Sequence, residues 1–118
     1  MTWAMVTVCG YVAAKPTIRH FERGTILCSF PLYVNRRKPE GEDKEIPPLK
    51  FQVDVWGNQA ETAMNLLDKG SRATVTGRLD EDHYTDKEGQ PATALRIRFA
   101  EVLDYGLKPA EEPAVAPA

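Results

Sequence analysis

With 118 residues, 42% of them apolar, and a formal net charge of −2, the chain has the size of one domain with a modest core. No stretch reaches the ~20 apolar residues of a membrane span, and no basic residue precedes Lys15, which argues against a secretory leader and for a cytoplasmic setting. Two cysteines are too few for a disulfide scaffold and read as buried free thiols, while Cys9, His20, Cys28 and His83 lack the paired spacing of a zinc site, so neither metal nor cofactor is expected.

Residues 4–14, AMVTVCGYVAA, predict a first strand in which Gly10 marks a bulge or bend. A second extended stretch follows Pro16, and the glycine-ended run at 22–24 supplies the reversal after it. The next strand covers 25–35; Pro31 cannot donate to a ladder, so that strand should bend there or lie at an edge. Residues 36–48 are charged and proline-bearing, a long loop. The run 49–57, LKFQVDVWG, alternates: Phe51, Val53 and Val55 share one face, and Lys50, Gln52, Asp54 and Trp56 the other.

A helix follows, with Asn58 as its expected N-cap, Glu61 completing a capping box, and Ala60, Ala63, Met64 and Leu67 as its apolar stripe up to Gly70. In the strand 71–79, Ala73, Val75 and Leu79 point inward and Arg72, Thr74, Thr76 and Arg78 outward, a parity that carries Tyr84 outward as well. A hairpin turn at 85–90 uses Gly89. The last strand, 92–103, places Leu95, Ile97 and Phe99 inward, Arg96 and Arg98 outward. Residues 106–118, rich in Pro, Ala and Glu, predict a short disordered tail after a single domain spanning 1–105.

This order, all-β with one helix between the third and fourth of five strands, is that of an OB-fold Greek-key barrel, an architecture that binds oligonucleotides. The outward set is chemically coherent. Trp56 and Tyr84 stand among Lys50, Arg72, Arg78, Arg96 and Arg98, the combination that stacks unpaired bases and contacts phosphates without reading sequence. Covering a subunit interface is the competing role for such aromatics, and solubility for the arginines. Charge is unevenly spread: residues 1–37 hold five basic residues against Glu22 alone, and residues 80–105 hold three against seven acidic ones.

The stretches VTVCGYVAAKPTIRHFERGT, FQVDVWGNQAETAMNLLDKGS, VTGRL and YTDKEGQ, in this order, resemble the bacterial-type single-stranded DNA-binding proteins. That resemblance implies base stacking at Trp56 and Tyr84, a DNA contact at Arg19, and contacts from the loop at Arg36, Arg37 and Lys38, with a homotetramer wrapping single strands; RNA stays open as a ligand. The chain departs from the family pattern in three places. Lys50 stands where many relatives carry an aromatic. Asp80, Glu81 and Asp82 follow the fourth strand where basic residues are common, and Asp54 adds a negative charge to the binding side. The end of the chain, PAVAPA, lacks an acidic tail with an apolar tip. Weaker, more salt-sensitive binding and no tail-mediated recruitment of replication enzymes are therefore expected, as in a short-tailed paralogue or a phage or plasmid form.

Enzymatic motifs are missing from the sequence, and His83 beside Asp82 and Asp86 has no nucleophile at a defined spacing, so no catalysis is expected. The alternative is an OB domain that serves replication restart or recombination by binding protein, with weak or no affinity for DNA. The acidic 80–82 run favours it, and the exposed aromatics disfavour it.

Overall fold

The computed structural model describes residues 1–36 and 46–106. In chain order these form β1 (Met5–Val12), β2 (Thr17–His20), β3 (Ile26–Val34), β4 (Leu49–Trp56), α1 (Asn58–Leu66), β5 (Arg72–Thr85) and β6 (Pro91–Asp104). The strands make one sheet in the order β1-β5-β6-β4-β3-β2, closed into a barrel where β1 also pairs with β3. All pairings are antiparallel except that of β4 with β6. The short β2 forms a ladder of its own with β3, so the described residues hold six strands rather than five, and the helix lies between β4 and β5.

Alternation decides what fills the barrel. Val12, Phe30, Leu32, Val53, Val55, Val75 and Ile97 are fully buried, and Ala60 and Ala63 of α1, with Leu67 just beyond it, close over them. Each such Val, Leu, Ile or Phe contributes about 1.5–3 kcal/mol by leaving water. Closure depends on Gly10: a Cβ there would lie 2.3 Å from the carbonyl oxygen of Tyr33, where β1 meets β3. Pro31 is not at an edge. It sits where β3 changes partner, between the Ser29–Thr17 and Leu32–Val12 pairs, and its carbonyl accepts a 3.0 Å bond from the Ala13 N–H.

Phe99 is the clearest departure from the expected parity. The β5–β6 ladder passes from Thr76–Glu101 to Arg78–Arg98, so Phe99 and Ala100 together face Gly77 in a bulge. A side chain at Gly77 would press within 2.7 Å of the Ile97 methyl and 2.9 Å of the Arg98 carbonyl oxygen, so only glycine leaves room for the extra residue. Phe99 takes a positive φ of 52° and turns outward, 65% exposed, while Ala100 takes the inward place. A second extra residue, Leu103, is likewise exposed.

The helix start also differs from the expected capping box. Gly57, at φ 76°, is the N-cap and no side chain caps the first turn; Asn58 is already helical, and its carbonyl accepts from the Thr62 hydroxyl. The chain must turn sharply from β4 into the helix, and that moves the cap one residue back. Only one thiol is buried: Cys28 lies in the core, whereas Cys9 is exposed on the outer face of β1. Burial pushes the Cys28 thiol up to about 11. The expected disordered tail falls, apart from Gly106, outside the described residues.

Candidate nucleic-acid interface

Trp56 ends β4 on the outer face, 37% exposed, opposite Leu27 of β3. Beside it stands Phe21, in the turn closed by the Phe21 N–H to the Thr25 carbonyl and the Gly24 N–H to the Phe21 carbonyl, both 2.9 Å. The two rings are 5.7 Å apart and tilted by 30°. The Arg19 guanidinium stands over Phe21, 5.2 Å from its ring centre. A cleft of about 460 Å³ opens between them, with Glu22, Arg23 and Thr25 as its other walls. Sequence reasoning found Trp56 and Arg19 but missed Phe21, which lies in a turn where alternation says nothing. An aromatic directly before the glycine-ended reversal was the available signal.

Tyr84 stands on the β5–β6 hairpin, outward as expected and 52% exposed. Asp86 stiffens the turn beside it by accepting from the N–H groups of Glu88 and Gln90. The two principal aromatics are not neighbours. Trp56 shares a cleft with Ala100, whereas Tyr84 pairs with Ala92, eight residues back along β6. At ~3.3 Å per residue that is about 25 Å.

Charged side chains fill the surface between them. Arg96 donates through Nη1 to both oxygens of Asp54, at 2.7 and 2.9 Å, and through Nε to Asp82. Arg98 donates to Asp80 at 2.7 Å and to Asp82 at 3.1 Å. Partial burial works against the charge of Arg96, but the carboxylates of Asp82 and Asp54 outweigh it and hold the guanidinium above its usual range. The hydrogen bond from Arg98, aided by the Glu81 N–H, holds the Asp80 carboxyl below its usual range. Asp54 also accepts from the Ser29 hydroxyl at 3.0 Å and is only 5% exposed. Its expected role as an open negative charge on the binding side is thus replaced by that of a covered counter-ion. Asp80 and Asp82 of the acidic run do not stand free to repel phosphate either, because they pair with Arg96 and Arg98, whereas Glu81 stays exposed beside His83.

The other predicted cations divide differently. Among the described residues, Arg19, Arg72 and Arg78 enter no ion pair. Arg78 lies 5.8 Å from the ring centre of the exposed Phe99, and the Lys50 ammonium 5.5 Å from that of Tyr33. Arg36 is spent on structure, donating through Nε and Nη2 to the Pro47 carbonyl at 3.0 and 2.9 Å and so tying the two ends of the loop together. Arg37, like Lys38, lies outside the described residues.

A closed barrel of six strands, with its helix between β4 and β5 and its aromatics and arginines on the outer wall, is an OB fold. The chain belongs to the Single-strand binding protein family, whose sequence profile matches residues 4–104. It is 36% identical over 94 residues to single-stranded DNA-binding protein 1 of Synechocystis sp., across 79% of this chain and 75% of that one. With single-stranded DNA-binding protein 1 of Nostoc sp. the identity is 36% over 106 residues, across 87% and 85% of the two chains. The crystal structure of a small single-stranded DNA-binding protein from Streptomyces coelicolor superposes with a TM-score of 0.73 at 26% identity, covering 95% of this chain and all 100% of that one. A Plasmodium falciparum SSB solved with single-stranded DNA shares the fold at a TM-score of 0.68 and 18% identity, over 86% and 94%.

Proposed function

We propose that this chain binds single-stranded DNA with little sequence preference, by base stacking and phosphate contacts, and protects single strands in replication, recombination or repair. The observation that carries this reading is the Trp56–Phe21 pair with Arg19 over Phe21: two exposed rings, a cleft beside them, and a cation with no carboxylate partner among the described residues. Such a platform accepts any base, because every base has a π-face. Tyr84 supplies a second stacking point, and Arg72, Arg78 and Lys50 the phosphate contacts. Binding needs no catalytic group, and the reading places the protein in the cytoplasm with residues 1–105 as its binding domain.

The proposal extends to self-association as a homotetramer. Trp3 just before β1, Met5 at its start, and Phe99 and Leu103 of β6 are each more than half exposed, an apolar surplus unusual for a monomer. Symmetric pairing would cover it. The neutralised Arg96 and Arg98 favour the second reading, a protein-binding OB accessory, and one titration separates the two. Each base–aromatic stack is worth about 1–3 kcal/mol, so Trp56→Ala and Tyr84→Ala should each weaken poly(dT) binding roughly tenfold, with Trp56 fluorescence quenched in the wild type. Failure of the wild-type chain to bind poly(dT) at low salt would favour the accessory reading.

A further inference from the structure

Four side chains stand in one row outside the barrel, at the seam where it closes. Lys50 of β4 lies opposite Tyr33 of β3, Tyr33 opposite Tyr11 of β1, and Tyr11 opposite Arg72 of β5. Directly opposed residues hold their side chains about 5 Å apart, so the row runs cation, aromatic, aromatic, cation without a gap. The contacts agree with the register: the Lys50 ammonium is 5.5 Å from the Tyr33 ring centre, and the two tyrosine rings meet edge to face at 5.9 Å and 65°. Tyr11, Tyr33, Asn35 and Arg72 border a cleft of about 220 Å³ that no carboxylate among the described residues lines. That sets it apart from the strip between Trp56 and Tyr84, where Arg96 and Arg98 are already neutralised.

We propose that Tyr33 and Tyr11, flanked by Lys50 and Arg72, form a second stacking platform for single-stranded nucleic acid, separate from Trp56 and Tyr84. Bases stack on the exposed parts of the two half-buried rings, and the phosphates on either side fall to Lys50 and Arg72, about 14 Å apart across three ladders of ~4.8 Å. A pair of tyrosines needed only for packing would have no use for a cation at each end, and the edge-to-face contact leaves ring surface free. Lys50 and Trp56 stand at opposite ends of β4, so this platform extends the track along that strand instead of duplicating the first cluster.

This inference rests on the proposed function, and the test separates the two. The full chain and its Tyr33→Leu and Arg72→Gln variants are titrated with a labelled oligo(dT) by anisotropy, with melting and sedimentation as controls. The wild type is also cross-linked to a 5-iodouracil oligonucleotide and the adducts are mapped. Tyr33→Leu should bind at least fivefold more weakly, Arg72→Gln should make the salt dependence shallower by about 0.7, and adducts should form at Tyr33 or Tyr11. If the wild type binds, Tyr33→Leu binds equally well and adducts are confined to Trp56 and Tyr84, the platform is refuted and the proposed function stands. If the wild type does not bind at all, both fall. Should Tyr33→Leu alter folding or assembly, the wild-type adduct map decides.

Discussion

Replacing Asp80 and Asp82 together by Asn should tighten single-strand binding. In the ion-paired cluster between Trp56 and Tyr84, the three carboxylates of Asp54, Asp80 and Asp82 face the two guanidiniums of Arg96 and Arg98, a charge of −1 within the cluster. The double variant makes it +1, leaves Asp54 on Arg96, and frees Arg98 to meet a phosphate. For single strands each neutralised phosphate steepens the dependence of log K on log salt by about 0.7. Between 1 M and 50 mM salt one added contact is thus worth roughly eightfold in affinity. Acidification is a poor substitute for mutation, because Arg98 holds the Asp80 carboxyl below its usual range and protonation there would come only in strongly acid solution. Asn keeps the shape and the hydrogen-bond acceptor, and the three ion pairs that Asp80 and Asp82 make are all partly exposed, so the fold should lose little. The assay is an oligo(dT) titration at several salt concentrations. Unchanged affinity and an unchanged slope would refute the reasoning and place the strand somewhere other than this strip.

Gly10→Ala should lower the urea midpoint by the equivalent of ~2 kcal/mol or more, because its Cβ meets the Tyr33 backbone at 2.3 Å and backbone cannot yield as a side-chain tip can; an unchanged midpoint would show that β1 can shift without opening the barrel. Raising the pH should also destabilise the fold through Cys28: its folded value of about 11 exceeds the ordinary 9.0, so stability is complete below pH 9 and is lost as pH climbs to 11. The shift corresponds to roughly 2–3 kcal/mol, and Cys28→Val, compared with wild type by urea melts across that window, should remove most of the loss.

Alternation carried the sequence reading a long way. It set Lys50, Trp56, Arg72, Arg78 and Tyr84 on the outer face because a strand buried on one side has no other way to satisfy its apolar residues. It failed at Phe99 because a bulge adds one residue and reverses the parity beyond it, and Gly77 in the middle of a strand was the mark of that bulge. Asp54 was put on the correct face but misjudged in exposure. Its cover comes from Arg96, 42 residues away across the parallel β4–β6 pair, and no local pattern gives the register of a parallel pair. Phe21 reaches Trp56 through the same kind of non-local fit, since it depends on how the β2–β3 reversal folds beside the end of β4.

The charge pattern acquires a physical meaning once the register is known. A net charge of −2 with an acidic run at 80–82 suggests a surface hostile to phosphate and a binding reaction that salt would abolish easily. The fold pairs that run with the two arginines directly across the β5–β6 hairpin, so most of the excess acid cancels locally. Among the described residues, Arg19, Arg72 and Arg78 enter no such pair, and each stands beside an aromatic: Phe21, Tyr11 and Phe99. Salt sensitivity follows the number of phosphates actually neutralised and not the number of basic residues on the outer face. Under the proposed function, with Arg96 and Arg98 already occupied, fewer phosphates should be neutralised than the outward parity alone implied, and the salt dependence should be correspondingly shallow. Stacking must then supply a larger share of the affinity. That is consistent with the barrel placing rings, and not only cations, at the end of β4, at the hairpin and along the closing seam.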